Sequence, residues 1–241
     1  MHSISSNFQY SYRQPCFPIV SRSVLCSQIN FNIMDIDEYD FFYHRIALPP
    51  AFSKMVAKRR CEFLAGRICA QIALNQHDSS LCFDVGIDSD RSPCWPRGII
   101  GSITHTSSVA AACIASTETH SNIGIDTESI LSREVCASIA SEILTTKELY
   151  LLKEKALPKE LFVTLAFSAK ESIFKAIYKD VGYIFGFDAA MMIEFNHHCM
   201  LFVLTKDLSV KWKAGDILNV GYQVVGEHVF TSMLVEQLVE N

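Results

Sequence analysis

Two carboxylates stand close together in a segment that otherwise resembles a buried strand. Residues 122–130, NIGIDTESI, place Asp126 and Glu128 among β-branched side chains. Side chains alternate along a strand, so both carboxylates would share the side of Gly124, with Cβ atoms about 6 to 7 Å apart. Carboxylates at this separation can bind one hard cation together and repel each other without it. A polar strand face turned to solvent is the alternative that this segment alone leaves open.

A third carboxylate lies in the segment FSAKESIFKA, residues 167–176, which has helical spacing. Glu171 and Lys175 are four residues apart, and as an exposed pair they would contribute only about 0.3 to 0.5 kcal/mol. Three aromatic residues, Phe167, Phe174 and Tyr178, fall on the same side of the helix. Because a solvent-facing side would not carry three aromatics, we expect a lined cleft. A third acidic ligand beside a lysine suits a phosphate bound through Mg²⁺.

Basic residues that could contact an anion precede the acidic segment. Arg60 and Arg67 are seven residues apart, hence on one helix face and about 10 Å apart along its axis. His105 follows small and hydroxyl residues in GSITH. Each of the three could contact phosphate groups, and an exposed arginine or a structural histidine is the alternative for each taken alone.

Several periodic segments would position these residues. Apolar spacing predicts an amphipathic helix over residues 56–74, and two β-leaning runs around a Thr-Ser-Ser turn predict a hairpin after residue 98. Thr145 with Glu148 is a capping-box pattern that opens a helix ended by Pro158, and a second long helix is predicted over residues 159–179. Four strand-like runs follow, over residues 190–198, 200–205, 216–225 and 228–239, whereas residues 1–50 are predicted to be irregular with short strands.

Composition limits the class of protein. The chain has 241 residues, 49% of them hydrophobic, which favours a globular protein. Its net charge of −5 gives no indication of nucleic-acid binding. Nine cysteines without metal-ligand spacing are expected to be reduced, as in the cytoplasm. The sequence contains no run of about 20 apolar residues and no secretory signal, so we expect a soluble cytoplasmic protein, with peripheral membrane association left open.

Two of these segments resemble a known family. GIDTE at 124–128 and FSAKESIFKA at 167–176 are similar to the two signature motifs of the 4′-phosphopantetheinyl transferases. Three more segments resemble the siderophore-type, enterobactin synthetase component D-like subgroup, namely EFLAGRICAQIAL at 62–74, SPCWPRG at 92–98 and GSITH at 101–105. The chain departs from the signature at Thr127, where the family usually has an aliphatic residue. Thr127 would point away from the carboxylates, so we expect little consequence.

The resemblance implies an α+β fold built as a pseudo-twofold duplication, each half a small sheet packed on a long helix. The halves would be residues 1–120 and 121–241, with coenzyme A in the cleft between them, and the family suggests a monomer. The implied reaction transfers phosphopantetheine from coenzyme A to a serine of an apo acyl, aryl or peptidyl carrier protein and releases adenosine 3′,5′-bisphosphate. Siderophore or other nonribosomal peptide or polyketide biosynthesis is the implied setting.

The resemblance also implies residue roles. Asp126, Glu128 and Glu171 would bind Mg²⁺, and Glu171, or else Glu128, would be the general base. Lys175 and Lys170 would hold the pyrophosphate, although Lys170 lies nearer the core side of its helix and a structural role is its alternative. The nucleotide phosphates would be bound by four residues: Arg60, Arg67, Arg91 and His105. Two other functions stay open, a non-catalytic docking subunit that binds a nucleotide and a Mg²⁺-dependent nucleotide phosphohydrolase.

Overall fold

The computed structural model describes residues 6–19, 21–79, 85–155, 157–197 and 199–237. The chain divides into two compact units, one formed by Met1–Pro15 with Ser21–Thr119 and the other by Cys16–Val20 with His120–Asn241.

The first unit is a four-stranded antiparallel sheet packed on one long helix. Its sheet order is β1-β2-β6-β5, and α2 packs against β6, β2 and β5. A separate two-stranded ribbon pairs β3 with β4. The elements in chain order are β1 Tyr10–Arg13, β2 Val24–Phe31, α1 Glu38–Tyr43, a 3-10 turn Phe52–Lys54, α2 Ala57–His77, β3 Gly86–Ile87, β4 Pro93–Cys94, β5 Ile99–His105 and β6 Val109–Ser116.

The predicted helix and hairpin of this unit are confirmed, and the helix extends three residues beyond the predicted end. Two elements in the region predicted to be irregular were missed. Strand β2 has eight residues and lies inside the sheet, but Ser27, Gln28 and Asn30 interrupt its apolar pattern. Helix α1 begins with a capping box between Asp37 and Asp40, in the acidic segment MDIDEYD at residues 34–40.

A disulfide corrects the expectation that every cysteine is reduced. Cys26 on β2 and Cys113 on β6 are direct partners in the antiparallel register, with Cα atoms 4.2 Å apart, and their sulfur atoms are bonded. Sequence spacing could not indicate this pair because the two cysteines are 87 residues apart. The six other described cysteines are not disulfide-bonded.

The second unit is a five-stranded antiparallel sheet packed on the other long helix. Its sheet order is β7-β11-β10-β9-β8, and α5 packs chiefly against β7 and β11. The elements in chain order are β7 His120–Ser129, α3 Arg133–Ile143, α4 Thr146–Lys155, α5 Lys159–Val181, a 3-10 turn Phe187–Ala189, β8 Ala190–Phe195, β9 Cys199–Leu204, β10 Ile217–Val225 and β11 His228–Glu236.

The strands and the long helix predicted for this unit are confirmed, as is the α+β class with a sheet packed on a long helix in each unit. The predicted runs included residues 156, 198, 238 and 239, which lie outside the described part of the chain. The capping box is also confirmed, since the Thr145 amide donates to Glu148 Oε2 at 2.7 Å and the Glu148 amide to Thr145 Oγ1 at 3.3 Å. Helix α3, capped by Ser132, was not predicted.

Small side chains bring α5 unusually close to the sheet. A Cβ built on Gly124 of β7 would overlap the Ser172 carbonyl oxygen of α5 and lie 2.6 Å from the Ala176 amide nitrogen. On the neighbouring strand, the Ser172 hydroxyl lies 2.7 Å from the Thr231 hydroxyl, so polar contacts also hold the helix on β11. The glycine of the GIDTE segment is therefore required by a backbone-to-backbone approach.

Among the described residues, no helix combines the length and hydropathy required to cross a membrane.

Gly124→Ala tests this close approach. The added methyl group has no space unless α5 moves away from β7, so we expect the free energy of unfolding to fall by about 1 to 3 kcal/mol, as for other overpacked cores. Urea unfolding followed by circular dichroism measures the change. Gly86→Ala is the control, because its methyl group would meet only Cys94 Cβ, at 3.6 Å. Equal stability of the two variants would show that the helix can shift freely.

Candidate functional site

The two carboxylates of β7 differ in how far they are removed from solvent. Asp126 is only 4% exposed, and Glu128 is half-buried. Gly124, two residues before Asp126 on the same side of the strand, contacts the backbone of α5. The alternative of a solvated polar face is therefore excluded, and the shared face of Asp126 and Gly124 is the one that α5 covers.

Lys175 of α5 supplies the positive charge nearest to this pair. Its Nζ donates to Asp126 Oδ1 at 2.7 Å and to the Ile125 carbonyl oxygen at 3.2 Å. Lys175 thus reaches the strand, as the cleft interpretation requires, and its salt bridge is with Asp126. The contact joins β7 to α5 directly above the close approach at Gly124.

Two carboxyl groups of this cluster, those of Glu128 and Glu171, have raised pKa values. Burial, together with repulsion from Asp126 and Glu171, raises the pKa of Glu128 to about 7 although Lys175 opposes the shift. Burial also raises the pKa of Glu171, with Lys175 opposing and Asp126 adding repulsion. The three carboxylates are therefore near enough to influence one another. One ammonium does not balance them.

The donor set suits a hard divalent cation. Carboxylate oxygens are the ligands that Mg²⁺ prefers, and the raised pKa values mark a place where additional positive charge would be stabilising. Within the described ranges, no three acidic, histidine or cysteine side chains are arranged to hold a metal ion, and the Lys175 ammonium contacts Asp126. Binding a cation would require Lys175 to share or release Asp126.

A cavity of about 320 Å³ opens beside Glu171. Of the three aromatic residues predicted to line a cleft, Phe174 is part of its wall, whereas Phe167 and Tyr178 are not, and the segment that follows the helix supplies the rest of the apolar lining. The lining residues are Lys170, Glu171, Phe174, Ile184, Phe185, Gly186, Phe187 and Ala190. A mostly apolar wall with a carboxylate at one side is typical of a small-molecule site.

Lys170 is held by a second carboxylate, Glu148. Its side chain is 2% exposed, and its Nζ lies 2.9 Å from Glu148 Oε1 and 2.6 Å from the Ile143 carbonyl oxygen. Glu148 also accepts the amide of Met192, at 2.8 Å. Burial lowers the pKa of Lys170, and the negative charge of Glu148 counteracts that shift. This geometry favours the structural alternative for Lys170, an ion pair that ties α5 to α4 and β8.

The first unit contains a larger cavity, of about 630 Å³, lined by several cations. Three residues predicted to contact phosphates, Arg67, Arg91 and His105, line this cavity. Arg67 donates to the Gly86 carbonyl oxygen at 3.2 Å and lies over the ring of Phe63. Arg91 has a φ of 71° in the loop between β3 and β4, a backbone strain that often accompanies a functional position.

Arg60 lies elsewhere, and its neighbour Arg59 faces the cavity. The Arg60 guanidinium lies 4.4 Å above the Phe52 ring and donates to the Ile36 carbonyl oxygen at 3.3 Å, and Arg60 does not line this cavity. Arg59 lines the cavity, with its Nη1 2.8 Å from His105 Nε2.

Sequence reasoning missed Arg59 and also Glu62, the cavity's carboxylate. The α2 residues that line the cavity have the spacing i, i+3, i+4, i+7 and i+8 of one helical stripe: Arg59, Glu62, Phe63, Gly66 and Arg67. That stripe was the available signal. The sequence prediction instead paired Arg67 with the residue seven positions earlier, Arg60, which lies beside this stripe.

Lys170→Met tests whether the buried ion pair is structural. The variant leaves the Glu148 carboxylate buried without its counter-charge, so we expect unfolding to become easier by about 3 to 5 kcal/mol, measured by urea denaturation. Lys206→Met removes a lysine that pairs with Asp188 at 2.8 Å but is half exposed, and it should cost below about 1 kcal/mol. If both variants unfolded alike, Lys170 would be available for a ligand.

Comparisons with known proteins agree with the two-unit arrangement. Residues 48–115 match the family model described as the 4′-phosphopantetheinyl transferase N-terminal domain. Residues 122–231 match the model of the 4′-phosphopantetheinyl transferase superfamily.

Individual relatives come from several bacteria. Enterobactin synthase component D of Salmonella typhi is 36% identical over 168 residues, covering 68% of this chain and 69% of the relative. The 4′-phosphopantetheinyl transferase Npt of Nocardia iowensis is 32% identical, covering 57% of this chain and 60% of the relative. A crystal structure of Thermotoga maritima holo-[acyl-carrier-protein] synthase (AcpS) matches 48% of this chain and 64% of that chain with 19% identity and a TM-score of 0.39, too low to support an inference. The family models and the Salmonella relative confirm the resemblance carried by GIDTE and FSAKESIFKA: this chain belongs to the 4′-phosphopantetheinyl transferase superfamily, in its siderophore-type branch.

Proposed function

We propose that this protein transfers the 4′-phosphopantetheine group from coenzyme A to a serine of an apo carrier protein and releases adenosine 3′,5′-bisphosphate. The observation that carries the proposal is the unbalanced acidic cluster of Asp126, Glu128 and Glu171 around Lys175, in a chain of this family. Siderophore or related nonribosomal peptide biosynthesis is the proposed setting, since a relative is named enterobactin synthase component D.

Mg²⁺ is the cation we propose for the acidic cluster, bound by Asp126, Glu128 and Glu171. When bound, it would neutralise charge on the pyrophosphate and stabilise the departing nucleotide phosphate. Lys175 lies within the same cluster, and its ammonium, which donates to Asp126, would also donate to a pyrophosphate oxygen.

A general base must accept the proton of the carrier serine as its hydroxyl attacks phosphorus. Glu171 and Glu128 are the two candidates, and burial raises the pKa of both, that of Glu128 to about 7. A base works best when its pKa is near the working pH, so the raised pKa of Glu128 suits proton transfer near neutrality. Glu171 also lines the cavity of the second unit, which favours it as the group nearest to a bound ligand.

The cavity of the first unit is proposed to bind the phosphates of the nucleotide half of coenzyme A. Its volume of about 630 Å³ lies within the usual range of ligand sites, and its basic residues are Arg59, Arg67, Arg91 and His105. We further propose that the enzyme acts in the cytoplasm, as a monomer, on acyl, aryl or peptidyl carrier domains.

Carrier modification tests the main proposal directly. The purified chain, coenzyme A, Mg²⁺ and an apo carrier protein are expected to give a carrier whose intact mass has grown by one phosphopantetheine. Asp126→Asn and Glu171→Gln should abolish this gain while the circular dichroism spectrum is kept, because each removes one charge from the cluster. Glu118→Gln, at an exposed position, is the control. Coenzyme A turnover without a carrier would identify a phosphohydrolase, and nucleotide binding without either reaction a docking subunit.

The neighbouring arginines of α2 provide a sharper test of the nucleotide site. Arg59→Ala removes a cation from the cavity and should raise the KM for coenzyme A about tenfold, the lower end for a charged hydrogen bond, with little change in kcat. Arg60→Ala removes an equal charge one residue away, from the contact with Phe52 and Ile36, and should leave that KM unchanged. Steady-state kinetics at fixed carrier concentration separates the two. A larger effect from Arg60→Ala would mean that the nucleotide binds elsewhere.

A further inference from the structure

Glu62 is an unexpected residue in a cavity proposed to bind an anion. Its side chain is 10% exposed and points among cations, with oxygens 3.5 Å from Arg59 Nη1, 3.8 Å from His105 Nδ1 and 3.8 Å from Lys58 Nζ. A carboxylate at this place repels a phosphate, so it weakens anion binding unless it has another effect. The adjacent histidine supplies such an effect.

The contact between Arg59 and His105 determines where the imidazole proton lies. Arg59 Nη1 is 2.8 Å from His105 Nε2. A guanidinium group only donates hydrogen bonds, so Nε2 must be the acceptor and carries no proton. His105 is therefore neutral in this arrangement, with its proton on Nδ1, the ring nitrogen that faces Glu62.

A bound phosphate would favour protonation of the His105 ring. Phosphate oxygens compete for the N–H groups of Arg59, and once Arg59 turns to the anion, Nε2 can take a proton from solvent and donate to the phosphate as well. The resulting imidazolium lies between two negative groups, the phosphate on Nε2 and the Glu62 carboxylate beside Nδ1. Without the anion, the charges of Arg59, Arg67 and Arg91 around the same cavity disfavour a protonated ring.

We propose that anion binding in the first unit is coupled to uptake of one proton by His105, and that Glu62 is the positioning residue that orients the ring and provides the counter-charge. The inference rests on the proposed function, because it takes the nucleotide phosphates of coenzyme A as the anion. It adds that the affinity of the site increases as pH falls, by up to tenfold per pH unit over the range in which the ring is neutral in the free site and protonated in the bound site, since one proton is then taken up.

Titration calorimetry with coenzyme A tests the coupling on the full chain, with Mg²⁺ held constant and carrier omitted. Binding is measured at about pH 7.5, where a free imidazole is mostly neutral, in two buffers of different ionisation enthalpy. Wild type should take up close to one proton more than His105→Gln, because the difference cancels protons exchanged by the phosphate and by the acidic cluster. At about pH 6, His105→Gln should bind about tenfold to a hundredfold more weakly than wild type, with a smaller loss at higher pH.

Glu62→Gln tests whether the negative charge of Glu62, and not the shape of its side chain, supports protonation of His105. It keeps the shape of the side chain and should lower the proton uptake at about pH 7.5, whereas Glu118→Gln, which removes an exposed carboxylate of the same unit, should match wild type. Equal proton uptake in wild type, His105→Gln and Glu62→Gln would overturn the inference while the nucleotide site stood. If coenzyme A did not bind wild type at all, the proposed nucleotide site would fall, and this inference with it. Should His105→Gln fail to fold, wild type against Glu62→Gln decides the question.

Discussion

The contact of α5 with Gly124 is the constraint on which the acidic cluster depends. A strand and a helix normally stand apart by the length of their side chains, yet at this point the helix backbone occupies the space of a missing Cβ. The carboxylate of Asp126, which follows on the same face of β7, is thereby buried within reach of Lys175. Glu171 lies one turn earlier on the same side of α5 as Lys175. The glycine and the two acids of GIDTE are thus parts of one arrangement.

Two charged clusters of the second unit differ in how well they are balanced. Glu148 and Lys170 form a buried pair in which Glu148 also accepts two backbone amides and Lys170 also donates to a carbonyl oxygen, so both partners are well satisfied. The cluster around Asp126 has three carboxylates and one ammonium, and burial, together with repulsion from Asp126 and Glu171, raises the pKa of Glu128 to about 7. A satisfied pair contributes to the fold, whereas an excess of buried negative charge destabilises it, and its presence here is consistent with the proposed cation site.

The first unit has an excess of positive charge around its larger cavity. Cations surround its larger cavity, and one carboxylate, Glu62, lies among them. Helix α2 presents this set as a single stripe, with Gly66 close to Ile103 of β5, so that the helix lies near the strand that ends at His105. Each unit therefore uses its long helix in the same way. One face packs on a sheet through small residues, and the neighbouring stripe carries the charged groups.

The sequence alone determined what depends on short spacing. Helical and strand periods, the Thr145 capping box, the shared face of Asp126 and Glu128 and the half-buried aromatic side of α5 all follow from neighbours within about eight positions, and the signature motifs added the family. Tertiary structure decided which distant groups meet. Lys175 pairs with Asp126 and Lys170 with Glu148, Cys26 is bonded to Cys113, and Arg59 rather than Arg60 faces the cavity. Such choices depend on how a helix is rotated and seated on its sheet, and this is fixed by packing contacts such as those of Gly124 and Gly66, which spacing along the chain does not encode.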